Sequence, residues 1–528
     1  MRELVEVDSS KVSPPPDDDI SNDDGLLLDD DTEQDLRFLP SQIFFLWKIF
    51  LNRVHPVTKV IHAPSTQLQI VEAACTSGSG LSDTTRALLF SIYNVALFTL
   101  SNEECQESLG RPKTRLAQSC AKTLLVHLRR TNFLKSASLT TLQALVLYLF
   151  SVQGHHNHHA TWIFSGICVR IAQKMGLHRD GETLGLPPFE TEMRRRLWWR
   201  IYMLDARCGL QSGLGPSTLP SVGDTKFPSN LNDSELNPES TTYFRDRDGP
   251  SEMALSFLMY NMGRFLAERP SVEASVIQHE LDMTSTLPQG SPKQPTELQN
   301  VAKEVEKGLN DVIDRFADPS TPNVYELVGY VKAHVLNRVR ILASMPPTQL
   351  NFSSQPLKPG EKLFRVAVSV IELSVSDYEA VERIGFLWYM KMHFQLDLFA
   401  FMVSQLSRQP PSEMVEKAWD LIAKVYLYHG DFFDASEKSN LALATAITSA
   451  WEKRHGPIFT RSVHHVQAPA YIQRLGTMVA LDSAVLNMAS VTLSDVVEDG
   501  HDDPVPWDDF SLAFLDPSGP GFQFPGMF

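Results

Sequence analysis

From residue 36 to residue 489, apolar side chains recur three and four positions apart in block after block, and no stretch alternates long enough to read as a strand. Such stripes are stable only when buried against one another. The chain is therefore expected to be all-α, a large multi-helix bundle or solenoid-like helical domain. The spacing predicts helices over 36–54, 81–100, 113–132, 139–153, 160–177, 190–208, 251–268, 301–317, 325–344, 360–385, 386–406, 412–427, 438–454 and 468–489. Ser138 and Ser412 stand where N-caps belong. No repeat of fixed period is present. Two stretches rich in Pro, Ser and other polar residues, 230–250 and 284–296, read as loops. The longest apolar run, 87–100, is interrupted by Ser91, Asn94 and Thr99. It is too short to span a membrane and is expected to be a buried core helix.

The net charge of −16 resides at the ends. Residues 1–35 sum to −11 and residues 491–528 to −8, which leaves 36–490 at about +3. Segments of like charge and low apolar content stay solvated. The expected organisation is an acidic disordered segment (1–35), a helical domain (36–490) and an acidic-aromatic disordered tail (491–528). A near-neutral body offers no positive field to a phosphate backbone, and the acidic ends repel one, so DNA is expected to be reached only indirectly or through a further domain. The five cysteines, Cys75, Cys105, Cys120, Cys168 and Cys208, are scattered. They make no disulfide framework, which points to a reducing compartment. The first residues show neither a secretory nor a transit pattern.

The most specific pattern lies within 162–233. Ile167, Val169, Ile171, Ala172, Met175 and Leu177 line one helical face, and Gly176, with Pro187 and Pro188 beyond it, reads as a stop. A second stripe follows in Leu197, Trp198, Ile201, Tyr202 and Leu204, with Glu192 four residues before Arg196 as an exposed pair. Adjacent residues on a helix point about 100° apart. Trp198 is expected to be more buried than Trp199, because Ile201, Tyr202 and Asp205 continue its face. The breakers Gly213, Gly215, Pro216, Pro220, Gly223 and Pro228 then exclude a helix.

Taken in order, Gly176-Leu177-His178-Arg179-Asp180, Pro188-Phe189-Glu190, Glu192-Met193-Arg194-Arg195-Arg196-Leu197-Trp198-Trp199, Tyr202, Leu204-Asp205, Gly215-Pro216, Pro228 and Asn232-Asp233 resemble the regulatory middle region of fungal zinc-cluster (Zn2Cys6-type) transcription factors. Leu39-Pro40 with Phe45, Trp47, Phe50 and Val54-His55-Pro56 resembles the opening helix and following loop of that family. Leu387-Trp388, His393, Gln395, Ala400, Pro410-Pro411 and Ala418-Trp419 resemble its distal helices. The resemblance covers about 36–490, loosely over 240–380. It implies a transcriptional regulator of the nucleus, often serving a metabolic or secondary-metabolite pathway. It also implies a scaffold role for Arg194, Arg195, Arg196, Trp198, Trp199 and Asp205, and partners that include a second subunit or a small-molecule effector. Members usually open with six cysteines that bind two zinc ions. Such a cluster needs closely spaced thiolates, which the five cysteines do not supply. The chain is thus expected to act without its own zinc-cluster DNA-binding domain, and zinc only where a separate N-terminal cluster exists.

The remaining motifs read as structure. Arg194–Arg196 suggest a basic patch, but the run is short and interleaved with apolar anchors; the arginines are expected to pair with Glu190, Glu192 and Asp205. His155, His156, His158 and His159 follow Gly154 with no acidic or thiol partner nearby, and read as an exposed, pH-sensitive turn in preference to a metal site. His178-Arg179-Asp180 matches a kinase catalytic-loop tripeptide without a glycine-rich loop or an Asp-Phe-Gly. No nucleophile elbow, phosphate loop or His-Glu-x-x-His is present. No catalytic residue is assigned, and the chain is expected not to be an enzyme. The alternative is a helical small-molecule-binding protein or enzyme on the same scaffold. A buried cluster of acids and bases would favour the enzyme, and an apolar cavity with few polar groups would favour an effector sensor.

In the tail, Trp507, Phe510 and Phe514 share one face if 507–515 is helical, among Asp502, Asp503, Asp508, Asp509 and Asp516. Acidic residues keep such aromatic anchors solvated and available. The segment therefore reads as an activation segment that recruits co-activators or other transcription machinery.

Overall fold

The computed structural model describes residues 36–76, 78, 80–135, 138–152, 158–211, 223–267, 295–343, 359–435, 437–456, 458 and 468–493. The chain divides into Met1–Arg37 and Phe38–Phe528, and every helix among the described residues belongs to the second unit. In order these are α1 (Pro40–Ile49), a π turn (Phe50–Val54), α2 (His55–Thr58), α3 (Ala63–Thr76), α4 (Asp83–Thr99), α5 (Asn102–Leu109), α6 (Lys113–Arg130), α7 (Leu139–Val152), α8 (His158–Lys174) and α9 (Pro188–Gln211). A 3₁₀ turn (Asp233–Glu235) precedes α10 (Ala254–Ala267), α11 (Pro295–Phe316), α12 (Pro322–Ala343) and α13 (Pro359–Glu382). The rest are α14 (Leu387–Lys391), α15 (Leu396–Leu406), α16 (Glu413–Tyr428), a 3₁₀ turn (Gly430–Phe433), α17 (Lys438–His455) and α18 (Ala470–Leu493). Among the described residues there is no strand, and no helix is long and apolar enough to cross a membrane.

The all-α expectation holds, and packing favours a bundle over a solenoid. In a solenoid each unit touches only its neighbours. Here α4 packs against α1, the π turn, α6, α7 and α14. Its residues from Ala87 to Leu97 are buried almost all round, as the 87–100 run predicts. The polar interruptions are satisfied inside: Ser91 Oγ donates to the Leu88 carbonyl at 2.7 Å, and Asn94 Nδ2 donates to Ser151 Oγ at 2.7 Å. A second centre is α13, which packs against α12, α14, α15 and α16.

Several boundaries differ from expectation for local reasons. The helix expected over 36–54 is α1 followed by the π turn and α2. Pro56 has no N–H, and its ring clashes with the carbonyl four residues back, which favours widening there. The helix expected over 386–406 breaks into α14 and α15 across 392–395. Helices α3 and α5 were not expected. Residues 295–296, expected in a loop, begin α11, and 284–294 lie outside the described residues. Helix α18 runs four residues past its expected end. Ser138 Oγ accepts from Thr141 N at 3.1 Å, a true cap. Ser412 occupies the N-cap position of α16, but its side chain makes no capping bond. Gly176 ends the α8 turn at φ +77°, with Leu177 N donating to Ala172 O at 2.9 Å.

Candidate functional site

Three successive arginines on α9 point three ways, because each residue turns the helix about 100°. Arg194 bonds Glu190 Oε1 at 2.8 Å and the Met175 carbonyl at 3.0 Å, which caps the end of α8. Arg195 grips Asp180 through Nε at 2.8 Å and Nη2 at 2.6 Å, and reaches Glu182 at 3.2 Å. Arg196, fully buried, donates from Nη1 to Asp233 Oδ1 at 2.6 Å and from Nη2 to the Leu231 carbonyl at 3.3 Å. One turn further on, Arg200 holds the Thr58 carbonyl at 3.0 Å and lies over the Tyr260 ring.

Two expectations about this helix need correction. Glu192 and Arg196 are not an exposed pair: they lie 3.4 Å apart with side chains 1% and 0% exposed. The loop after 223 covers that face, and the Ser229 N–H donates to both Glu192 oxygens at 3.1 Å. Periodicity within one helix does not register such a cover. Nor does Asp205 serve the arginine run. It accepts from Ser165 Oγ at 2.9 Å and so ties α9 to α8. Trp198 is buried. Trp199 is half-buried, its Nε1 donating to the Lys226 carbonyl at 2.9 Å and its ring meeting Phe227 at 4.4 Å.

Asp233 is the centre of a second set of contacts. Its Oδ2 accepts from His55 Nε2 and from the Ala63 N–H, each at 2.9 Å, while its carbonyl faces His62 Nε2 at 2.9 Å. Lys59 Nζ lies 3.9 Å from Asp233 Oδ1 and is paired with Glu252. One carboxylate thus joins α2, the start of α3 and α9. Lys59, the residue that closes α2, has φ +50°, an uncommon conformation for a residue with a side chain. Burial by itself would raise the Asp233 carboxyl. The charge of Lys59, the bond and charge of His55 and the charge of Arg196 outweigh burial and hold it well below the usual range. Burial, then the Lys59 charge, lowers His55, against the bond and charge of Asp233.

This arrangement suits a clamp better than proton chemistry. A carboxylate held so far down is a poor base. His55, Asp233 and Glu252 bring donor atoms within 4.8 Å of one another, as a cation site would. The Lys59 ammonium already lies 3.2 Å from His55 Nε2 among the same oxygens, so the positive charge is supplied by the chain. Asp180, of the kinase-like tripeptide, likewise serves as the anchor of Arg195 and accepts from Lys226 N at 3.0 Å. A cavity of about 490 Å³ adjoins the Asp233 cluster. Its walls come from α1, the π turn, α2, α3, the Asp233 turn, the start of α10 and α12.

His55 and Asp233 stood in the sequence only as parts of longer patterns, and nothing local linked them to each other or to Lys59 and Glu252. Residues 155–157 lie outside the described residues, and His158 and His159 begin α8. Trp507, Phe510 and Phe514 lie outside the described residues. None of the five cysteines is in a disulfide, and four of them are buried.

The fold and its charged clamp define a helical module whose distant segments are locked onto one arginine-rich helix. Residues 42–314 match the family model described as the fungal specific transcription factor domain, and the chain belongs to that family. It is 36% identical over 449 residues to the pyriculol/pyriculariol biosynthesis cluster transcription factor 1 of Pyricularia oryzae, covering 85% of this chain and 59% of that protein. It is 28% identical to the aurofusarin cluster transcription factor aurR2 of Gibberella zeae (80% and 62%) and 27% identical to the C6 finger domain transcription factor nscR of Aspergillus fumigatus (72% and 48%). The chain spans about half to three fifths of the length of these relatives.

Proposed function

We propose that the chain regulates transcription of a gene cluster for a secondary metabolite and acts in the nucleus. The observation that carries this reading is the 36% identity sustained over 449 residues with a regulator named for such a cluster. In this reading 36–490 is the regulatory body, and 1–35 and 491–528 are solvated acidic segments. The anchors Trp507, Phe510 and Phe514 recruit co-activators or other transcription machinery. Arg194, Arg195, Arg196, Trp198, Trp199 and Asp205 are scaffold, and DNA is reached through a further domain or a partner. The test is to overexpress the chain in its native host and profile transcripts. A contiguous block of biosynthetic genes should change together. Scattered changes only, or none, would contradict the reading.

A further inference from the structure

Residues 108–179 carry ten Lys and Arg and no Asp or Glu, although 63 of the 528 residues of the chain are acidic. The near-neutral sum of 36–490 therefore conceals a one-sided distribution. The bases gather on α6 and just beyond it. Arg115, Lys122 and Arg129 recur every seven residues, two helical turns apart, so they share one face in a row about 21 Å long. All three are exposed, while Leu116, Cys120, Leu124 and Leu128 bury the opposite face. Arg111 stands exposed just ahead of the helix. Past its end, Lys174 Nζ donates to the Lys135 carbonyl at 3.0 Å, which brings two more exposed bases together.

Helices α4 and α5 pack against α6, and their carboxylates do not cancel the row. On α4, Asp83 pairs with His127 at 2.8 Å and lies 3.9 Å from Arg130, off the row. On α5, Glu104 pairs with Arg53, and the exposed Glu103 and Glu107 lie ahead of the start of α6. Salt screens charges beyond about 8–10 Å at physiological strength, so the field at the row is set by its own neighbours and not by the net charge of −16. The row suits a polyanion whose charges are regular and lie on its outside. Duplex DNA presents one phosphate charge per about 1.7 Å of its axis, so long Arg and Lys side chains spread along the helix meet several. An acidic peptide with apolar anchors needs a groove to seat them. Between Arg115 and Arg129 the other exposed positions are Gln118 and Val126, on the convex outside of a helix.

We propose that the outer face of α6 lies along the phosphate backbone of duplex DNA and adds affinity without reading sequence. Phosphate contacts fix position and orientation and carry no base information. A further domain or a partner selects the site, and Arg115, Lys122 and Arg129 then seat the regulatory body on the duplex. This role rests on the reading of the chain as a regulator of transcription. It is tested on the purified full chain with DNA of arbitrary sequence, so failure here leaves the transcript result standing, and the reverse.

The measurement is fluorescence anisotropy of a labelled short duplex titrated with the full chain between about 50 and 200 mM salt. Three phosphate contacts give a slope of log K against log salt of about −2.7, so binding should weaken roughly fortyfold or more across that range. Two unrelated sequences should bind alike. Arg115→Gln, Lys122→Gln and Arg129→Gln should each make the slope shallower by about 0.9. Together they should weaken binding at the lowest salt at least tenfold, with the melting temperature unchanged, because all three side chains are exposed. Arg408→Gln with Lys417→Gln, exposed bases away from α6, should leave binding as it is. Three results would each overturn the proposal. They are no binding at the lowest salt, a folded triple variant that binds as the wild type does, or a peptide of residues 491–528 that binds this face more tightly than the duplex.

Discussion

Arg196 and Asp233 stand 37 residues apart in the chain and 2.6 Å apart in space, both buried. A buried ion pair gains little over an apolar pair, but its loss on one side leaves a charge stranded. Asp233→Asn or Arg196→Met alone should each cost about 3–5 kcal/mol. The double variant should cost clearly less than the sum, since the two groups share one interaction. Urea unfolding of the four proteins measures this, and strict additivity would contradict the clamp.

Arg196 and its two carboxylate neighbours, Asp233 and Glu192, set a pH dependence whose sign differs between the two carboxyls. Asp233 is depressed in the folded chain, so the unfolded chain takes the proton first, near pH 3.9, roughly the ordinary value. Its contribution is full above that pH and lost as pH falls. Glu192 has the opposite sign. Burial raises it against the charge of Arg196 and the Ser229 bond, so its contribution favours acid and is lost as pH rises through the folded value. Asp233→Asn should therefore flatten the acid limb of the stability curve. Glu192→Gln should remove a fall in stability on the way from acid to neutral pH. Three superimposable stability–pH slopes would refute both assignments.

The two tryptophans of α9 should differ. Trp198→Ala empties a buried site and should cost about 3–5 kcal/mol. Trp199→Ala should cost less, because its ring is half-buried and its bond to Lys226 O lies at the surface. Equal midpoints on thermal unfolding would count against this ordering.

The acid–imidazole group at His55, Asp233 and Glu252 should not respond to metal. Lys59 already places an ammonium among these donors. Millimolar zinc or an excess of EDTA should leave the melting temperature of the full chain unchanged. A rise of several degrees with zinc that the chelator reverses would show a metal site there instead.

Much of this architecture was legible because helix periodicity is local. The α4 core helix, the Gly176 stop and the burial of Trp198 all follow from spacing within one element. The clamp was not legible in the same way. Glu192 and Arg196 obey the rule for a surface pair, and only the loop at Ser229 and Asp233 makes them interior. Lys59 gave no signal, because its carboxylate partners come from positions more than 170 residues away. Helices α3 and α5 were missed because α5 is short and mostly polar and α3 only weakly amphipathic, so burial decides them more than pattern does.

The most direct test of the central claim, transcriptional regulation, is a reporter assay in which the full chain is fused to a foreign DNA-binding domain. The fusion should raise reporter transcription, and residues 491–528 alone should do so in part. Replacing Trp507, Phe510 and Phe514 together by Ala should abolish the effect of the isolated segment, while Asp516→Ala should change it little, because aromatic anchors fill specific grooves and acidic residues act collectively. A fusion that leaves the reporter at its background level, with the protein present in the nucleus, would contradict the account.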